Sequence, residues 1–71
     1  MARRRSLSKE LRLARKNRGL SVAEVASRVG VSPVSIYYWE AGRVRPRIEN
    51  LKALCKILKL PVRDALEATG V

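Results

Sequence analysis

The segment from residue 19 to residue 42 contains two helix-start signals, and a glycine ends the stretch that follows each of them. The first signal is Ser21 with Glu24, which have the spacing of a capping box. In this motif the serine hydroxyl accepts a hydrogen bond from the Glu24 amide, and the carboxylate accepts one from the Ser21 amide. Gly30 stands where a left-handed residue ends a helix without steric cost. These residues predict a short helix over about 22–29.

The second helix-start signal is Ser32, in the N-cap position, followed by Pro33. Proline is well accepted at the first helical position, because the amide that it lacks would have no partner there. Gly42 ends this second helix, which we expect over about 33–41. Helices this short are not stable alone and must pack on other helices. The pattern indicates a helix-turn-helix over about 21–41, in which the second helix lies in the DNA major groove.

A first helix is expected before this unit, from about residue 8 to residue 17. Leu7, Leu11 and Ala14 recur there at helical spacing, and Gly19 stops the pattern. The residues before it, 1–6, form a basic arm without apolar partners, which we expect to be disordered in the free protein. Residues 7–68 then make up one domain.

Two more helices are expected after the unit, following a loop over 43–47 that Pro46 keeps from being helical. The first runs over about 48–58, and a short last helix starts at Pro61 and reaches about residue 68. The residues expected to point inward on the longer helix are Ile48, Leu51, Leu54, Cys55 and Leu58. The sequence therefore predicts a compact, all-α domain of five helices.

Positive charge is unevenly distributed along the chain. The net charge is +10, from 16 Lys and Arg against 6 Asp and Glu. Residues 1–18 hold eight bases and one acid, residues 19–42 one base and two acids, and residues 43–71 seven bases and three acids. A polyanion is the natural partner, and the basic flanks suit phosphate contacts around a less charged centre. A merely solvated basic surface is the alternative.

The composition argues against several other classes of function. The chain has no histidine and a single cysteine, Cys55, so the common zinc sites, most catalytic triads and an internal disulfide are absent. The spacing of Cys55 predicts a buried thiol. We expect no enzyme activity, no cofactor, no metal and no small-molecule ligand. No apolar run reaches the ~18–20 residues of a membrane span. These features favour a cytoplasmic, nucleoid-associated protein.

Several short motifs resemble one family. From Leu11 to Ser21 the chain has Leu-Arg, further arginines and Gly-Leu-Ser, followed by Glu-Val-Ala and Gly-Val-Ser. Ile-x-x-Trp-Glu-x-Gly and Arg-Pro-x-x-x-x-Leu come next. This combination resembles the Cro/C1-type (XRE, lambda-repressor-like) helix-turn-helix family over about residues 7–67. The resemblance implies a DNA-binding transcriptional regulator, expected to be a repressor, and an ion pair between Arg15 and Glu40 that joins the first and third helices.

The resemblance also implies which surface reads DNA. With Ile36 and Trp39 placed on the core side of the third helix, Val34 and Tyr38 point away from the core at 100° per residue, with Pro33 and Tyr37 beside them. The residues expected to face the bases are Ser32, Pro33, Val34, Ser35, Tyr37 and Tyr38. Pro33 and Val34 offer only apolar contacts where relatives often carry hydrogen-bonding side chains, so we expect modest base discrimination and a large contribution from DNA shape.

Phosphate contacts are expected on both sides of this helix. The expected phosphate-binding residues are Ser21, the loop arginines Arg43, Arg45 and Arg47, and the arm arginines Arg3, Arg4 and Arg5. Relatives often carry a phosphate-binding glutamine at the position of Val22, which here leaves only backbone amides for that contact. A solvated tail is an equally good interpretation of the three arm arginines.

Some alternatives remain open from the sequence. One alternative is nonspecific or architectural DNA binding. Another is an antitoxin- or coactivator-like module that binds proteins through Val34 and the tyrosines. RNA binding is a minor alternative. A homodimer on double-stranded DNA is expected, since one reading helix covers few base pairs. Val62, Leu66 and Val71 are candidates for the dimer contact or, equally, for packing on the helix before them.

Overall fold

The computed structural model describes residues 6–61, 63 and 65. Over these residues the chain is all-helical, with α1 at Leu7–Asn17, α2 at Val22–Val29, α3 at Pro33–Glu40 and α4 at Ile48–Leu58. The predicted all-α fold is confirmed. The expected fifth helix lies mostly outside the described residues: Arg63 and Ala65 are helical, and the Ala65 amide donates to the Pro61 carbonyl at 3.1 Å. The count of five helices stays a prediction.

The ends of α2 form as predicted. The Ser21 amide donates to Glu24 Oε1 at 2.8 Å, and the Glu24 amide donates to Ser21 Oγ at 3.0 Å. Gly30 has φ +91°, in the left-handed region, and its amide donates to the Ala26 carbonyl. These contacts satisfy amides and carbonyls that a helix end leaves without partners, so α2 starts and stops within one residue of its predicted bounds.

The start of α3 differs from the expectation in one respect. Ser32 has the extended backbone of an N-cap and Pro33 is the first helical residue, as predicted. The Ser32 hydroxyl, however, makes no capping hydrogen bond. The fixed φ of proline favours the first turn without a side-chain cap, and the serine hydroxyl faces solvent.

One hydrophobic core joins the four helices. The buried residues are Leu7, Leu11, Val25, Ala26, Ile36, Trp39, Leu51, Leu54, Cys55, Leu58 and Ala65. Both α3 and α4 pack on α1 and α2, whereas α3 and α4 make little contact with each other. The helices that follow one another across the long loop therefore occupy opposite corners of the bundle.

The prediction that Ile48 points inward is wrong. Its side chain is 48% exposed, while Leu51, Leu54, Cys55 and Leu58 are buried as expected. Ile48 is the first residue of α4. Helical spacing assigns it to the margin of the apolar face, and in the described part of the chain its side chain is left about half exposed at this end of α4.

Candidate nucleic-acid interface

The outward face of α3 is exposed, uncharged and partly aromatic. Val34, Tyr37 and Tyr38 are 54%, 59% and 46% exposed, while Ile36 and Trp39 are buried on the opposite side. The remaining residues predicted to face the bases lie on the same surface: Ser32 and Pro33 are exposed, and Ser35 is half-buried. A helix fixed by two large core side chains presents its other side as a rigid surface.

Arg15 and Glu40 connect this helix to α1. Arg15 Nε donates to Glu40 Oε2 at 2.7 Å and Nη2 donates to Oε1 at 3.0 Å, a two-pronged arrangement in which both carboxylate oxygens are bound. The two side chains are only 13% and 9% exposed. The ion pair implied by the family resemblance is thus present, and it is largely shielded from solvent.

A third bond of Arg15 has no counterpart in the sequence interpretation. Nη1 donates to the Leu20 carbonyl at 3.0 Å, in the turn between α1 and α2. The hydrogen bond with Glu40 raises the pKa of Arg15 above its ordinary value, and partial burial opposes this shift without reversing it. The guanidinium therefore stays charged and ties together α1, the turn and the end of α3. No sequence signal marks a backbone carbonyl as a partner.

The end of α3 leads directly into the arginine loop. The Arg43 amide donates to the Tyr38 carbonyl at 3.0 Å, and the Gly42 amide donates to the Trp39 carbonyl at 3.2 Å. Gly42 has φ +75°, so these bonds form a Schellman ending. The backbone of Arg43 is fixed against the exposed face of α3, and the side chains of Arg43, Arg45 and Arg47 are all exposed.

The start of α2 offers less to a phosphate than its position suggests. The capping box occupies the Ser21 and Glu24 amides, and the Glu24 carboxylate already lies at this positive helix end. The hydrogen bonds from the Ser21 backbone and hydroxyl hold the pKa of Glu24 below its ordinary value, so the carboxylate stays ionised at neutral pH. The Val22 and Ala23 amides remain as first-turn donors. The arm arginines Arg3, Arg4 and Arg5 lie outside the described residues.

The sequence profile of the family described as Helix-turn-helix domain matches residues 6–68. The chain belongs to this helix-turn-helix family. The helix-turn-helix of this domain is formed by α2 and α3 on the two sides of Gly30, and the resemblance to lambda-repressor-like domains is confirmed. No curated protein sequence matches the chain significantly.

Solved structures of two regulators are similar to this helix-turn-helix domain. The solution structure of the DNA-binding domain of the P22 c2 repressor has a TM-score of 0.85 at 32% identity, covering 93% of this chain and 87% of that chain. The structure of the P22 c2 repressor in complex with synthetic operator 9T has a TM-score of 0.84 at 33% sequence identity. The match covers 90% of this chain and 97% of that chain. The crystal structure of the clp gene regulator ClgR from Corynebacterium glutamicum has a TM-score of 0.80 at 35% sequence identity. The match covers 94% of this chain and 72% of that chain.

Other chemistry is sparse in the described part of this helix-turn-helix domain. Cys55 is buried, and burial raises the pKa of its thiol, which leaves the less reactive protonated form dominant. The described residues contain no group of three potential metal ligands. None of the described helices has the length and apolar character to cross a membrane.

Proposed function

We propose that this protein is a DNA-binding transcriptional regulator, acting as a repressor, that places α3 in the major groove of duplex DNA. The observation that carries the proposal is the exposed, uncharged outward face of α3, with Val34, Tyr37 and Tyr38 on it and an exposed arginine loop directly after it. The similar P22 c2 repressor has been solved with operator DNA. An uncharged helix face flanked by arginines suits base contacts at the centre and phosphate contacts at the side.

Base contacts on this face would be largely apolar. Pro33 and Val34 are suited to thymine methyl groups, and the hydroxyls of Tyr37 and Tyr38 reach a base edge or a phosphate. Ser32 and Ser35 add two small hydroxyl groups. Without a side chain that forms paired hydrogen bonds to one base, much of the sequence preference would come from the shape of the DNA.

Phosphate contacts would come from the loop and the start of α2. Arg43, Arg45 and Arg47 supply positive charge directly beyond α3, and the first amides of α2 with the Ser21 hydroxyl supply donors on the other side. The arm arginines, residues 3–5, lie outside the described residues and would add three positive charges to these contacts. Each arginine that neutralises a phosphate would add to the salt dependence of binding.

A homodimer would give this small domain enough contact with its operator. Two-fold symmetry would place two α3 helices on half-sites about 34 Å apart. Val62, Leu66 and Val71, which lie outside the described residues, are the candidate contact residues. Sedimentation at micromolar concentration tests the dimer, and a strict monomer with and without operator DNA would exclude it. A protein of this kind acts where the genome is, so we propose a cytoplasmic, nucleoid-associated location.

Selection of bound fragments from a pool of random duplexes tests the main proposal. We expect an enriched, two-fold symmetric sequence, and titration of that duplex should shift the NMR signals of Val34, Tyr37, Tyr38 and the 43–47 amides. Bound fragments without enrichment would indicate an architectural DNA-binding protein. Duplex affinity no better than millimolar, with a stoichiometric protein recovered in pull-downs, would indicate a protein-interaction module using the same exposed tyrosines.

A further inference from the structure

A row of exposed lysines follows one side of α4. Lys52 and Lys56 are four residues apart, so at 100° per residue their side chains leave α4 on the same side, and Lys59 follows as the residue that ends the helix. The side chains of Leu51, Leu54, Cys55 and Leu58 point to the core. At 1.5 Å per residue the row is about 10 Å long, a length that spans about three phosphates of one DNA strand.

The positive charge of this lysine row is not neutralised within the described residues. None of the three lysines forms an ion pair or a side-chain hydrogen bond there. The one acid on α4, Glu49, lies one helical turn before Lys52, and no ion pair joins the two side chains in the described structure. Three unpaired cations against one acid leave α4 with an excess of positive charge facing solvent.

Lys59 occupies a backbone position that glycine would fill at lower cost. It ends α4 with φ +59°, and it is the one non-glycine residue with positive φ among the described residues. A side chain in this conformation costs about 1–2 kcal/mol. An unfavourable residue in such a position directs attention to what its side chain does. Here the side chain extends the lysine row beyond the last turn of α4.

The lysine row lies on a different helix from the surface that reads DNA. Both α3 and α4 pack on α1 and α2 and barely on each other, so the two helices lie diagonally across the bundle. A duplex on the exposed face of α3 and a duplex on α4 would therefore contact different corners of the domain.

We propose that the lysine row of α4 binds the phosphate backbone of a second DNA duplex, so that one protein molecule bridges two DNA segments. The inference rests on the proposed function, which assigns the first duplex to α3. Lysines act as point charges toward phosphate, without the paired donors that read bases. The second duplex is therefore held without regard to sequence, and its binding is strongly weakened by salt.

A bridging assay tests this proposal. One duplex carrying the selected site is immobilised, a labelled duplex of unrelated sequence is added, and the label retained through the protein is measured. The variant Lys52→Gln/Lys56→Gln/Lys59→Gln should reduce retention at least about tenfold, since three phosphate contacts are lost. Its affinity for the immobilised duplex should stay within about threefold, because α3 and the arginine loop are unchanged.

A matched control separates position from total charge. Lys9, Arg12 and Lys16 are exposed on α1 with similar helical spacing. Changing all three to glutamine removes the same charge and should leave retention within about threefold, if contacts with the second duplex are local to α4. Circular dichroism confirms that every variant is folded before it is compared.

Three results would overturn the bridging proposal while leaving the proposed function intact. In the first, the wild-type protein binds the first duplex but retains no second one. In the second, the α4 variant retains the second duplex as fully as the wild type. In the third, the α1 control loses as much retention as the α4 variant, which would mean that the effect depends on net charge alone. Capture of an acidic protein by the lysine row in place of DNA belongs to the first case. Failure to bind the immobilised duplex at all would instead contradict the assignment of α3.

Discussion

The Arg15 guanidinium holds the Glu40 carboxylate with two hydrogen bonds, of 2.7 and 3.0 Å, while its remaining nitrogen donates to the Leu20 carbonyl. One side chain therefore connects α1, the turn before α2 and the last residue of α3. The position of α3 relative to the rest of the domain depends on a charged contact as well as on the core.

Removing one partner of this pair should be strongly destabilising. Glu40→Gln should lower the free energy of unfolding by ~3 kcal/mol, because it leaves the Arg15 charge largely buried without its counter-ion. Urea denaturation monitored by circular dichroism measures the change. The exposed Arg18→Ala serves as a control and should change stability by less than about 0.5 kcal/mol. A loss for Glu40→Gln no larger than the control would show that the pair contributes little.

The capping box should make stability depend on pH in the acid range. Hydrogen bonds from Ser21 hold the pKa of Glu24 below its ordinary value of 4.5. The stabilisation is therefore fully present above pH 4.5 and is lost as the pH falls through the lower, folded value. Glu24→Gln retains a capping partner without the titration, so its thermal midpoint should fall less on acidification than that of the wild type. Parallel curves for the two proteins would contradict this prediction.

Tyr38 should influence the choice among DNA sequences. If its hydroxyl or ring contacts a base edge, Tyr38→Ala should change the preference between the selected duplex and a mismatched one by ~1–3 kcal/mol. Fluorescence anisotropy with both duplexes measures the difference. The exposed α1 variant Lys16→Ala should leave the preference unchanged. An equal loss of affinity on every duplex would indicate that Tyr38 contacts only the backbone.

The loop arginines should affect affinity without affecting preference. Arg43→Ala and Arg45→Ala should each weaken binding to all duplexes alike and reduce the slope of log affinity against log salt by about 0.9. Titrations at several salt concentrations provide this slope. Should either variant change the ranking of duplexes while leaving the slope untouched, that arginine would be a base-reading residue.

Substitutions at the ends of two helices should change the stability in opposite directions. Lys59→Gly should raise the free energy of unfolding by about 0.5–1 kcal/mol, because the left-handed backbone suits glycine better and the gain exceeds its greater freedom when unfolded. Gly30→Ala, at φ +91°, should lower it by about 1 kcal/mol. Thermal denaturation of both variants checks the signs. Identical shifts would show that backbone conformation at these ends has little influence.

The local signals in the sequence were sufficient for the central helices. Ser21 with Glu24 and the glycines at 30 and 42 determine where α2 and α3 begin and end, and these features act within a few residues of the chain. Structure that depends on interactions between residues close in sequence can therefore be predicted from the sequence alone. The exposed face of α3 was implied by the family resemblance, because Val34, Tyr37 and Tyr38 are also large hydrophobic residues and spacing alone does not distinguish the two sides of this helix.

Features that depend on the arrangement of helices were not readable. Ile48 fits the apolar period of α4, but its side chain is exposed in the described structure. Periodicity predicts which side of a helix is apolar without predicting which of those residues another segment will cover. The placement of α3 and α4 at opposite corners, and the bond from Arg15 to the Leu20 carbonyl, arise from packing between distant segments. The spacing of Lys52, Lys56 and Lys59 was visible in the chain, but the position of α4 at the corner opposite α3 was not.

The absence of charge from the outward side of α3 has a consequence for behaviour on a genome. Cations from the salt compete with the arginines for the DNA phosphates, so the arginine contacts weaken as the salt concentration rises. The contacts of Val34 and the two tyrosines are uncharged and do not compete with ions. Raising the ionic strength would thus lower the affinity for all operators by a similar factor. The protein would leave weak sites first, and the ranking of sites by affinity would stay the same.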